Sequence, residues 1–215
     1  MNIAEKLAII AENEAKVFES GKKAQNDELW ARLLNNGNPT SFYCSFSGAR
    51  WNSNTFTPPE HLKMKATNLT RCFREAINLV EINIEIDATS ITSSNNVTNV
   101  FYKCSKLKKI KQLTVSETTP YESNMFTDCS ALEEFKIVGT IGKDGFDVHW
   151  SVMLSHNSLL SILTACKKAS AGVAITLPKK CIDGSTTTET YIANDTELST
   201  ALENARTNGY TVSFA

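Results

Sequence analysis

Apolar positions change rhythm several times along this chain, and each change marks an element. Ile3, Leu7, Ile10, Val17 and Ala24 recur at alternating steps of three and four, with Glu14 and Gly21 interrupting the seam, so residues 2 to 34 are predicted to be helical. Two roles fit such a helix: a coil that pairs or trimerises to attach the protein to something, and an end cap folded back on the body. Its second part, "QNDELWARLLNNG", stops at Asn36 and Gly37, with Pro39 just beyond. Next comes an aromatic, turn-rich stretch, "TSFYCSFSGARWNSNTFTPPEHLKMK", in which Pro58 and Pro59 close a strand-like "TFT". It is expected to form an atypical first β unit.

Three related segments follow: "CFREAINLVEINIEI" from Cys72, "FYKCSKLKKIKQLTV" from Phe101 and "FTDCSALEEFKIVG" from Phe126. Aligned, they superpose Phe73, Phe101 and Phe126; Leu79, Leu107 and Leu132; and Ile82, Ile110 and Phe135, with Ile137 following. The leucines are 28 and 25 residues apart, and a looser copy in "LSHNSLLSILTA" adds Leu159 and Ile162, so the count is three or four. A period in the twenties predicts a solenoid whose coils each add one short strand and cannot bury their own inner face alone. Phe126 and Cys129 would line the core from the turn, and Leu132, Phe135 and Ile137 from the strand; Cys104 matches Cys129, while Ala76 stands at that place in the first copy. Cysteine suits a crowded turn as a small apolar group. "KKIKQLTV" is stretched by one residue relative to "EEFKIV" in this alignment. From about residue 166, "GVAITLP" reads as a strand, "CIDGSTTTET" as a turn or loop, and "NDTELSTALENARTNGYTVSFA" as a helix begun at Asn194 or Asp195, stopped at Gly209 and followed by a strand. The expected fold is therefore α/β: an N-terminal helical segment over 1–37, a short leucine-rich-repeat solenoid with a small parallel sheet over 38–165, and a C-terminal αβ cap over 166–215.

Charge changes the picture by exclusion. The 22 Lys and Arg against 23 Asp and Glu form no basic block, so nucleic acid is not an expected partner. No apolar run approaches the roughly 20 residues that cross a bilayer, and "MNIAEKLAIIAENEAK" carries acids where a signal peptide wants a basic region. Synthesis in the cytoplasm without membrane insertion is expected. Cys44, Cys72, Cys104, Cys129, Cys166 and Cys181 lie far apart with no CxxC, which predicts free thiols and no zinc site.

Candidate chemistry is sparse, and neither a catalytic residue nor a cofactor is predicted. His156 in "LSHNSLL" lacks the GxSxG elbow of a hydrolase, and Ser155 or Asn157 reads better as a helix cap. "GTIGKDGFD" misses both phosphate-loop spacings, and Asp144 with Asp147 supplies too few oxygens for calcium. Trp30, Trp51 and Trp150 are read as core aromatics rather than sugar platforms. With the strand Leu and Ile inward, alternation places Glu81 and Asn83, Lys109 and Lys111, and Glu134 and Lys136 outward as a mixed-charge strip, the one candidate binding face.

The pattern FxxCSxLxxIxI in "FYKCSKLKKIKQL" and "FTDCSALEEFKI" resembles the BspA-like bacterial surface type of leucine-rich repeat. The order of the whole chain, from "ELWARLLNNG" through "YCSFSGARWNSNTFTPP" and the repeats to "HWSVMLSHNSLLSILTA" and "ENARTNGYTVSFA", resembles a group of tailed-bacteriophage and prophage structural proteins. The resemblance implies a non-enzymatic virion component of the tail or fibre region. It would contact other virion proteins and a host cell-surface protein or glycan, and would form a homo-oligomer through the N-terminal helix. A bacterial cell-surface adhesin of the same repeat family is the alternative.

Overall fold

The computed structural model describes residues 23–48, 53–167 and 172–215, with positions 13, 16, 20 and 21 ahead of them. Ile3, Leu7, Ile10, Glu14, Val17 and Trp51 lie outside the described residues. The molecule is mixed α/β with mostly parallel strands and four helices among the described residues. No helix among them is long and apolar enough to cross a membrane.

Helix α1 (residues 23–33) ends in a tight turn, Asn35–Gly37, where Asn35, Asn36 and Gly37 all take positive φ. That run of left-handed residues reverses the chain, and Leu34 is fully buried beside it. Trp30 packs its ring edge-on against Phe56, with centroids 5.2 Å apart, while Leu29 and Leu33 stay exposed. The last turn of the 1–37 segment therefore belongs to the folded body.

The main sheet runs β1 (Thr40–Ser41), β3 (Met64–Asn68), β4 (Glu81–Asp87), β5 (Lys109–Val115) and β6 (Glu134–Gly139), all parallel, with β2 (Thr55–Phe56) also beside β4. β4 is "EINIEID", and its alternation buries Ile82, Ile84 and Ile86 on one face. Register sets Ile82 beside Ile110 and Phe135, then shifts, so that Ile86 meets Leu113 and Leu113 meets Ile137. Each strand thus has one residue fewer than its predecessor between these inward positions. The extra residue in β5 leaves Lys111 and Gln112 both facing outward, as a bulge does.

Behind the sheet lies a second line of coupling. Phe46, Phe73, Phe101 and Phe126 stack with centroids 5.4, 5.7 and 5.2 Å apart and interplanar angles of 27°, 11° and 23°. Beside them the backbone hands N–H groups from one segment to the next: Phe46 to Cys72, Phe73 to Val100 and Phe101 to Met125. Phe73, Leu79, Ile82, Phe101, Cys104, Leu107, Ile110, Phe126, Cys129, Leu132, Phe135 and Ile137 are all buried in one core. The cysteines do more than fill space. The Cys104 thiol donates to the Phe73 carbonyl at 3.0 Å and the Cys129 thiol to the Phe101 carbonyl at 3.1 Å. Burial pushes the Cys104 thiol up to about 12, so it remains a protonated donor. A serine hydroxyl at 129 would have that same carbonyl as an acceptor, contrary to the expectation of a thiol with only an apolar role.

The looser fourth copy is a correction. "HNSLLSILTA" is a helix, α2 (His156–Ala165), in which Leu159 and Ile162 are fully buried one helical turn apart. A spacing of three puts two side chains on one helix face as readily as it fits the strand-entry pattern. Beyond it, β7 (Phe146–Asp147), β8 (Val173–Leu177) and β11 (Tyr210–Phe214) form a second parallel sheet. Between β8 and β11 stand β9 (Lys180–Cys181), β10 (Thr186–Thr187), α3 (Thr188–Ala193) and α4 (Thr196–Thr207). In "CIDGSTTTET" the turn lies at residues 182–185, but it joins two short strands and runs straight into a helix; Thr187 caps α3 through the Thr190 N–H. Phe146 packs on Phe126, Phe135 and Tyr121, which joins this unit to the core.

Two predictions come from this packing. Leu132→Ala should cost about 2 to 5 kcal/mol in chemical denaturation, the range for emptying a buried leucine site, whereas exposed Lys136→Ala should change stability by no more than about 0.5 kcal/mol. Equal costs would overturn the inward and outward assignment. The second concerns Asp195, which caps α4 through the Glu197 and Leu198 N–H groups. The Leu198 N–H first, and the His156 ring after it, hold this carboxyl below its ordinary value. A depressed folded pKa contributes stability above the ordinary aspartate value of about 3.9 and loses it as pH falls through the folded value. Asp195→Ala should therefore flatten the acid limb of the stability profile; superimposable acid limbs for the two proteins would remove Asp195 from that role.

Candidate functional site

The six outward candidates divide into two groups. Asn83 donates to Glu81 at 3.0 Å and to Thr57 at 3.1 Å, so these side chains are tied to each other and to the chain after β2. Next to them Lys63 pairs with Glu85 at 2.9 Å, and Glu85 accepts from Thr114. This half of the outer face satisfies itself. Lys109, Lys111, Glu134 and Lys136 instead line an open groove of about 710 Å³ between the outer face of β5 and β6 and the flank of α2.

α2 stands where it does because it completes an edge. β6 is the last strand, and its outer N–H and C=O groups have no further strand to pair with. Two serines one turn apart replace that strand. Ser158 Oγ accepts from Phe135 N at 2.9 Å and donates to the Glu133 carbonyl at 2.8 Å; Ser161 Oγ accepts from Ile137 N at 2.8 Å and donates to the Ile137 carbonyl at 3.1 Å. Ser155 caps the helix by accepting from the Ser158 N–H, and its own N–H reaches the Glu133 carbonyl. The sequence shows serines here, but only the third dimension shows them facing a bare edge.

Within the groove Lys109 pairs with Glu134 at 3.1 Å, and Lys111 approaches Glu60 at 3.8 Å, a carboxylate that is itself 94 % exposed. Lys136 has no ion pair among the described residues. Three ammonium groups against one lining carboxylate make the groove the cationic part of the mixed-charge strip. With Ser158, Ser161 and Thr164 committed to backbone partners and Lys109 paired, the ammoniums open to a ligand are that of Lys136, unpaired among the described residues, and that of Lys111, held only by the long, exposed pair with Glu60.

Other sequence-level candidates resolve into structure. His156 Nε2 does meet an acid, Asp195, at 3.1 Å, but its Nδ1 faces Asn157, and the neighbouring serine hydroxyls are held by each other and by β6. Asp144 tethers its loop to β8 by accepting from Ala174 N, and Asp147 orients His149 at 2.7 Å. At the end of β6, Gly139 has φ +111°, and an added Cβ would collide with the Val115 carbonyl oxygen; this close approach of β6 to β5 explains a glycine there. Trp30 is half-buried, whereas Trp150 is 42 % exposed and so is not a core residue.

No family model, curated protein or solved structure matches this chain.

Ser158→Ala should cost about 1 to 3 kcal/mol, the penalty for leaving a buried Phe135 N–H without an acceptor, and should raise hydrogen exchange at that amide selectively. Wild-type protection of Phe135 in the variant would show that the serine bridge does not hold the edge.

Proposed function

We propose that this chain is a non-enzymatic structural protein of a tailed-phage or prophage virion, in the tail or fibre region. Its 38–165 segment is then a short leucine-rich-repeat solenoid of the BspA-like type, used for host-surface adhesion or virion assembly. The observation that carries the reading is the open outer face of the sheet. Parallel sheets usually have both faces covered, and here the outer face of β5 and β6 carries lysines lining an open groove instead of a packed layer. Attachment to neighbouring virion proteins, or to a second copy, falls to the N-terminal segment, whose exposed Leu29 and Leu33 supply apolar area for pairing.

Mass spectrometry of purified virions should find this protein as a stoichiometric component, and its absence from them would overturn the virion assignment. In a binding assay with labelled protein on host cells, the double variant Lys111→Glu/Lys136→Glu should lose about tenfold in affinity with an unchanged melting temperature. Undiminished binding by that variant would take the groove out of the adhesive surface.

A further inference from the structure

A second concavity lies away from the lysine groove, at the turn end of the segments. It is lined by Ile77, Lys103, Ser105, Asp128, Ser130 and Trp150 and measures about 480 Å³, inside the range of small-molecule clefts, about 300 to 1,000 Å³. Ile77, Ser105 and Ser130 occupy the same place in three successive segments, 28 and 25 residues apart, so the stacking itself brings them into one row. Two large apolar side chains wall the cleft while remaining open to solvent: Ile77 at 55 % and Trp150 at 42 % exposure. The Trp150 ring is steadied by His149, at 5.0 Å and 40°, which Asp147 in turn holds.

The polar groups between those walls are uncommitted. Ser105 and Ser130 hydroxyls and the Asp128 carboxylate have no hydrogen-bond partner among the described residues, and Lys103 rests only over the Tyr102 ring at 5.3 Å. Asp128 also ends a backbone ladder. Glu75 and Lys103, at the equivalent position, each take positive φ and give their N–H to the next segment's carbonyl, at Tyr102 and Thr127; Asp128 has φ +61° and no further segment follows. Its N–H has no carbonyl partner among the described residues.

We infer that this cleft binds a saccharide unit of a surface glycan. An exposed indole and an exposed aliphatic side chain in one cleft match the apolar C–H faces of a pyranose ring. Two free hydroxyls, a carboxylate, an ammonium and a free N–H match its hydroxyl rim with both donors and acceptors. A peptide side chain seeking an anchor would favour a deeper, drier pocket than this row of polar groups supplies. The inference rests on the adhesion reading only for the expectation that the glycan belongs to a host surface.

The test is an array of bacterial-envelope and neutral hexose oligosaccharides probed with the full chain, followed by titration of bound sugars against tryptophan fluorescence. Saturable binding is expected. Trp150→Ala should weaken it by at least about tenfold, the scale of a lost aromatic anchor, and Trp150→Phe should restore most of it. Lys111→Glu/Lys136→Glu should leave sugar binding unchanged. A blank array, binding equal in Trp150→Ala, or saturable capture of peptides in place of sugars would overturn the saccharide assignment. Cell binding lost in Lys111→Glu/Lys136→Glu but kept in Trp150→Ala, with the array blank, would overturn it while leaving adhesion standing; sugar binding without cell binding would do the reverse.

Discussion

Everything in the main body depends on one constraint: a segment of this chain cannot satisfy its own backbone at the turn, so it must hand its N–H groups to the next segment. Cys44, Arg71, Glu75 and Lys103 all take positive φ, and each gives its N–H to a carbonyl of the following segment. Asn99 does the same through the Asn124 side chain. A left-handed conformation costs an L-residue roughly 1 to 2 kcal/mol. An unmade buried hydrogen bond costs about 1 to 3 kcal/mol, and pairing across segments spares these N–H groups that cost, whereas Asp128 keeps the same conformation with no segment left to accept. Parallel strands on one side and this ladder on the other leave little freedom between segments, and the phenylalanine column fills the space they enclose.

A stack built this way has two ends that differ chemically. At the first, α1 lays Trp30 and Leu34 over Phe56 and its neighbours, which covers apolar surface. At the last, the exposed groups are polar backbone, and apolar cover alone would leave them without partners. The solution is a helix whose serines act as acceptor and donor at once, followed by a second parallel sheet that continues the core through Phe146. The same need that places α2 at the edge also builds the wall of the lysine groove. Site and edge protection are one construction.

The legible part of the fold in the sequence was its inward-facing part. Phe126, Cys129, Leu132 and Phe135 leave a trace because burial restricts residue type, and the period follows from their stacking. The left-handed positions left none: Glu75, Lys103 and Asp128 are ordinary surface residues by composition, and their role lies in φ. Phe46 belongs to the same column, 27 residues before Phe73, yet its surroundings in "YCSFSGARW" share too little with the later segments to be aligned. Leu159 and Ile162 misled because a spacing of three serves both a helix and a strand entry. Of the outward candidates, alternation identified all six as outside the core, but not which were tied to neighbours, since Thr57 reaches Asn83 from 26 residues away.

This division decides where recognition can occur. Polar side chains bonded to one another have spent their hydrogen-bonding capacity, and a ligand meeting them would have to break those bonds first. The outer face over β4 is of that kind. Farther along the stack β6 is the last strand and no segment follows Asp128, so Lys136 has no ion pair and the Asp128 N–H no carbonyl partner among the described residues. At that end a residue is placed by the stack without the partner the next segment would otherwise supply, as Lys136 and Asp128 are. The two clefts share no residue, one cationic and one aromatic, and each takes in part of that end.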